Sequence, residues 1–439
     1  MKARLVPVYF KSGRDGEFDE QLKRLGSLFA AEAEILEPAA LGSPLPEADA
    51  VVFPQLLGDS YSQIEALKEI DLPLLIITSE FGTVSMWDWE INTFLKSEGL
   101  KTFAPHDLEM ARKTCRCLGL KRELKTTTFL VFQDNPGEEG FQADIFKRFY
   151  WWEDRCTEAM KEKFGVTIAK KSFKRLGEEA KRIPDREAEA VTRDWDLQTE
   201  GVSQGALNSA LKMYIALKRE IEQDENIRGV GVNCLNESHF SDTTPCLAWN
   251  MLFQELGIIW GCEGDTMSLL TKYILQKSLD AHIMMSNLYP FLMGMAALKH
   301  ERIEAFPEVE DPQDHILVAH CGYLGVLPQP FAAEWTLRPK VLAIVDENAT
   351  AIDARLPTGD VTLAKLHPTL NKIMTVTGFL EGYAQYPGSD CRNGAVVRVT
   401  DGYQLVNSLY SHHYCILTGR KSVEIRMLAR VFDLEVEEI

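Results

Sequence analysis

The sequence predicts an α/β protein in which parallel sheets covered by helices are followed by a β-rich C-terminal region. Three observations predict it. Short β-branched runs alternate with helix-length amphipathic patterns through about residue 300, the arrangement that a parallel sheet requires. From about Pro307 onward glycine and proline punctuate short β-branched runs instead, as in barrels and sandwiches. A length of 439 residues exceeds what one hydrophobic core usually organises. The expected division is an N-terminal α/β domain over 1–124, a second α/β domain over 125–300 and a β-rich domain over 301–439.

Taken in order, residues 4–10 read as a first strand and 17–33 as a helix. Strands are expected over 49–53 and 72–78, with helices over 61–70, 87–96 and 107–120. The third strand runs into a Ser79-Glu80-Phe81-Gly82-Thr83 loop. Ligands collect at strand ends of such sheets, which makes Trp87 a candidate substrate-binding residue; a tryptophan near a helix start more often packs beneath it. The second α/β portion opens with a strand over 127–132 and continues with a helix from about residue 142. A charged helical stretch over 170–193 is interrupted by Pro184, and an amphipathic helix covers 203–223. Then follow a strand (228–233), a helix (245–256), a strand (258–260) and a helix (265–279). The later β-like runs are 340–345, 395–399 and 423–431.

Charge and composition narrow the function. The net charge is -18 and no basic run is long enough to track a phosphate backbone, which argues against nucleic acid as a partner. No stretch approaches the roughly 18 consecutive apolar residues of a membrane helix, and the first residues lack a cleavable leader pattern. Nine cysteines, scattered without paired metal-finger spacing, suit free thiols in a reducing cytoplasm.

Histidine locates the chemistry: of the nine, all but His106 lie beyond residue 230. Three segments carry the candidates. The first, Gly257-Ile258-Ile259-Trp260-Gly261-Cys262-Glu263-Gly264-Asp265, puts two carboxylates between an apolar strand and a helix. Asp265 is a good N-cap in any case, whereas Glu263 precedes the cap. The second, His315-Ile316-Leu317-Val318-Ala319-His320, ends a buried-looking strand on a histidine, and His315 and His320 face opposite ways in a regular strand. The third is Tyr410-Ser411-His412-His413-Tyr414-Cys415, where at most one of the adjacent histidines reaches a shared ion. Imidazole and carboxylate together suit a divalent ion such as manganese.

These segments, in this order, resemble the L-fucose isomerase and L-arabinose isomerase superfamily over residues 228–420. The resemblance includes Asn233-Cys234 and Pro245-Cys246 ahead of the acidic turn. It implies two Rossmann-like domains followed by a barrel-like β-rich domain, assembly as trimers or hexamers, and a sugar substrate. It also implies a divalent metal, usually manganese, held by Glu263, His320 and His413, with Glu263 also moving a proton during aldose–ketose isomerisation through an ene-diol. A second family carboxylate corresponds here to Asn287, which can ligate a hard cation or line the substrate pocket but cannot act as a base. Three readings follow: an isomerase in which Glu237, Asp242 or Asp265 replaces the missing base, a related sugar or polyol enzyme such as an epimerase or lyase, and a non-catalytic sugar-binding descendant.

Overall fold

The computed structural model describes residues 1–11, 13–55, 58–134, 145–290, 309–320, 327–340, 345–384 and 394–439. The chain forms two compact units. One comprises Met1–Leu124 with Lys277–Leu279 and Arg426–Asp433; the other comprises Lys125–Gln276, Asp280–Ile425 and Leu434–Ile439. The second α/β portion and the β-rich portion thus fall within one unit.

In the N-terminal unit the parallel strands run in the order Ala33–Ile35, Ala3–Tyr9, Ala50–Phe53, Leu74–Ile76 and Thr102–Phe103. Their continuous apolar character is what burial on both faces demands: Val6, Val51, Leu74 and Ile76 are fully buried. Helices begin at clear caps. Asp15 accepts from the Phe18 N–H ahead of Gly16–Leu28, and Asp107 accepts from the Met110 N–H ahead of Leu108–Glu123.

The second unit carries a four-stranded parallel sheet in the order Ile259–Gly261, Ile227–Val232, Thr128–Phe132, Thr167–Lys171. The last of these falls partly in the stretch expected to be helical. Its Thr-Ile-Ala-Lys-Lys sequence is that of an edge strand with lysines turned to solvent, a common guard against edge pairing. The charged helices then follow as Phe173–Arg182 and Asp185–Val191, broken at Pro184.

Beyond the sheet, six strands close into an antiparallel barrel. Gly359–Leu366 pairs with His413–Thr418, which pairs with Ile283–Pro290, then His315–Ala319, Gly394–Val399 and Lys372–Ala384. The last strand pairs back with the first. The sheet and the barrel share one core, in which Leu130, Val230 and Trp260 pack with Met285, Ile316 and Val397.

One expected β run is a helix instead, Ser422–Val431. Its buried residues Ile425, Leu428 and Ala429, with Phe432 just beyond its end, recur at the helical spacing, and that period overrides the β-branched composition. Most of the expected 340–345 strand and the expected helix start near 142 lie outside the described residues. No helix among the described residues is long and apolar enough to cross a membrane.

Candidate metal centre

The neighbouring parallel strands Ile227–Val232 and Ile259–Gly261 end side by side, and the turn after the second forms the floor of a buried site. Cys262, Glu263 and Gly264 make one 3-10 turn, and Asp265 begins the helix Thr266–Ser278. The turn lies close on the adjacent strand: a Cβ on Gly231 would stand 3.0 Å from the Gly264 Cα. Glu263 itself adopts φ 54° and ψ 15°, a left-handed conformation that costs a non-glycine residue about 1–3 kcal/mol and persists only where its surroundings enforce it.

Those surroundings hold the carboxylate from two sides. The Tyr150 hydroxyl donates a hydrogen bond to Oε2 of Glu263, and Nε2 of His413 lies 3.7 Å from Oε1. His413 starts its barrel strand opposite Asn287, and Asn287 pairs on its other side with Ala319. That register brings His320, the next residue, beside His413. Their rings stack at 5.7 Å between centroids and 15° between planes.

Asp265 does more than cap its helix. Its Oδ1 accepts from the Ser268 N–H at 2.8 Å, while Oδ2 accepts from the Ser268 hydroxyl at 2.7 Å. The same Oδ2 lies 2.9 Å from Nδ1 of His413 and 3.6 Å from the buried Lys365 ammonium. A carboxylate only accepts, so Nδ1 carries the proton and Nε2 is the nitrogen turned toward Glu263.

Electrostatics agree with this arrangement. Burial alone would raise the Glu263 carboxyl, but the hydrogen bond and charge of His413, with help from His412 and His320, bring it down to about 2. Burial works on Asp265 in the same sense and is outweighed by Lys365 and His413, which hold it well below the usual carboxylate range. His320 is pushed down to about 3 by burial and then by its neighbour His413, so its ring is neutral and able to donate a lone pair. His413 moves upward: burial opposes its charge, and Asp265 and Glu263 prevail.

Among the described residues, the ligand atoms of Cys262, Glu263 and His320 all lie within 4.8 Å of one another. Among the described residues the side-chain oxygen of the buried Asn287 makes no hydrogen bond; its amide group donates to the Tyr289 hydroxyl at 2.9 Å. A donor set of carboxylate, imidazoles, thiol and a bare amide oxygen fits a divalent cation.

The structure therefore brings Glu263, Asp265, Asn287, His320 and His413 together. Glu237 is buried nearby in the chain fold, where both its oxygens accept from the Asp134 N–H at 2.9 Å; the adjacent Asn236 hydrogen-bonds Tyr150. Asp242 accepts from the Ser209 hydroxyl instead. Trp87 belongs to the N-terminal unit and is 71% exposed, so it does not pack beneath its helix. His315 turns away from His320, toward the Asp311 carbonyl and Glu381.

Sequence reasoning missed Tyr150, Lys365 and Cys262. Lys365 had a signal, a single lysine within the apolar run Val361 to Leu366. Tyr150 had none. A cavity of about 320 Å³ opens beside the cluster, lined by Arg148, Trp151, Met267, Lys365, Tyr410 and His412 among others. No protein-family model matches the chain, and no curated protein sequence matches it.

Proposed function

We propose that this cluster is the metal and proton-transfer centre of an aldose–ketose isomerase-like enzyme acting on a small sugar. The observation that carries the reading is the convergence of Glu263, His320 and His413 from three separate segments, with Asp265 fixing which nitrogen of His413 faces the others. It agrees with the resemblance to the fucose and arabinose isomerases, from which manganese and a homo-oligomeric state are also inferred; a cytoplasmic setting is inferred from the scattered cysteines.

Glu263, His320 and His413 would hold the ion, with the Asn287 oxygen able to join them. The ion, when bound, supplies a positive centre that grips adjacent sugar oxygens and polarises the carbonyl. Glu263, kept ionised by His413, takes the C2 proton of an aldose and returns it to C1, while the C2 hydroxyl proton passes to the C1 oxygen, so that the carbonyl moves from C1 to C2. Tyr150, which bonds the other oxygen of Glu263, holds that carboxylate in position. The cavity bounded by Trp151, Lys365 and His412 offers the sugar an aromatic face and hydrogen-bond donors.

Asn287 favours a second reading. A neutral amide where the family has a carboxylate removes one base, and a lyase, which needs a single group to take a hydroxyl proton as the carbon–carbon bond breaks, would tolerate that loss. Incubating the metal-loaded protein with a panel of aldoses in deuterated water separates the two. Ketose formation with deuterium at C1, the carbon that was the aldose carbonyl, supports isomerisation. Deuterium uptake without ketose supports the second reading, and neither exchange nor product with any sugar refutes both.

A further inference from the structure

We propose that Cys262 is itself a ligand of the site and that the ion selected is therefore thiophilic, zinc rather than manganese. The proposal rests on the metal-centre reading above and departs from it in the identity of the ion. The thiol is placed by geometry: Cys262 Sγ, a Glu263 oxygen and a His320 nitrogen lie within 4.8 Å of one another, and the three residues are 2%, 4% and 0% exposed. In a tetrahedral zinc site, bond lengths of about 2.0–2.3 Å put ligand atoms roughly 3.3–3.8 Å apart. Contraction by about 1 Å, within reach of side-chain adjustment, would complete the coordination.

Chemistry points the same way. Manganese and other hard ions prefer carboxylates, carbonyls and water, whereas a thiolate ligand selects zinc and its softer neighbours. This site has traded hard oxygen for sulfur. Asn287 offers a neutral oxygen in place of a carboxylate, and Cys262 sits next to Glu263 in the same enforced turn. A second thiol is near: Cys234, at the end of the adjacent parallel strand, has its Sγ 4.0 Å from that of Cys262, close to the spacing of two thiolates on one zinc.

The test uses the full chain, purified under reducing conditions, stripped with a chelator and reloaded with zinc, manganese or cobalt(II). Metal retained after gel filtration is measured by mass spectrometry, and the cobalt form is read by absorption. Affinity order alone favours zinc over manganese at most nitrogen and oxygen sites, so the discriminating signal is the thiolate-to-cobalt charge-transfer band in the near ultraviolet. Wild-type protein is expected to show that band, Cys262→Ser to lose it and to retain zinc more than about tenfold less tightly, and Cys234→Ser to keep it in weakened or full form. The wild-type band needs no substitution, so a misfolded variant does not obscure the result. Cobalt bound without the band, in a manner that depends on Glu263 and His320, overturns the thiolate assignment and leaves the metal centre standing. Manganese held as tightly as zinc overturns the choice of ion. No retention of any of the three metals overturns the metal centre and this inference with it.

Discussion

Lys272 is buried completely in the helix that follows the acidic turn, and its ammonium makes no hydrogen bond among the described residues. Its nearest compensation is the face of Trp260, whose ring centroid lies 3.4 Å from Nζ. Burial lowers the amine from 10.5 to about 7, with Cys415 and Cys262 opposing only weakly. The unfolded chain keeps the ordinary value, and the difference corresponds to roughly 5 kcal/mol of unfavourable charge burial. The sign follows directly. Below pH 7 the amine is charged in both states and the full cost is present; between pH 7 and 10.5 the unfolded chain holds more protons, so stability rises with pH; above 10.5 the charge cost is gone.

Lys272→Met keeps the length of the side chain and removes the charge. It also forfeits the cation–π contact, which contributes about 2 kcal/mol at a desolvated site. The expected gain is therefore between about 2 and 5 kcal/mol near pH 6, shrinking toward pH 10. Local exchange reports on this helix more directly than global unfolding does. Hydrogen exchange of amides within residues 266–276, corrected for the intrinsic pH dependence of exchange, reads the relevant unit. Slower exchange in the variant at pH 6, and convergence with wild type at high pH, is the expected result. Equal protection at pH 6, or faster exchange at all pH values, would refute the reasoning and mean that the charged amine is wanted where it is.

Further outcomes are expected at the site itself. Asp265→Asn leaves the Lys365 ammonium buried beside a neutral amide and frees the His413 ring to change tautomer; chelator competition should find metal binding weakened by about 10–100-fold, and denaturation a loss of about 3–5 kcal/mol. Tyr150→Phe removes the donor to Glu263 and should cost about 1.5–3 kcal/mol in urea denaturation, with the fold retained by circular dichroism. Gly264→Ala places a Cβ 2.9 Å from Trp152 at φ +70° and should destabilise by about 1–3 kcal/mol, measured the same way. Asn287→Asp should raise affinity for a divalent ion while lowering stability in its absence, which calorimetric melts with and without zinc would detect.

How much of this was legible depends on the range of each signal. The acidic turn could be read because strand, turn and cap are contiguous, and the left-handed Glu263 only sharpens what Gly-Cys-Glu-Gly-Asp suggests. The strand ending on His320 and the His412-His413 pair were legible from period-2 patterning, which also separates His315 from His320 and His412 from His413. The closure of the barrel was not, because antiparallel pairing between Gly359–Leu366 and Lys372–Ala384 at one end and Ile283–Pro290 at the other is a matter of register between distant segments. Cys262 was passed over for the same reason. Its neighbours in space, Cys234 and His320, are far from it in sequence, so no short spacing betrays the cluster. Residues 423–431 misled because Val and Ile read as β when their helical recurrence is ignored.

The cluster also has a charge logic. Two buried carboxylates, Glu263 and Asp265, face two groups that can carry a positive charge, His413 and Lys365. With both protonated the site is balanced without an ion, which spares the fold an uncompensated buried charge costing several kcal/mol. An acidic residue at position 287 would break that balance and make folding lean on a bound cation. Asn287 is neutral and leaves the balance as it stands. When a divalent ion enters, it can displace the proton from Nε2 of His413, which offsets one of the two positive charges the ion brings. The same exchange ties occupancy to pH: acid refills His413 and opposes the ion, and binding measured across pH 5 to 8 should strengthen as the medium becomes more alkaline.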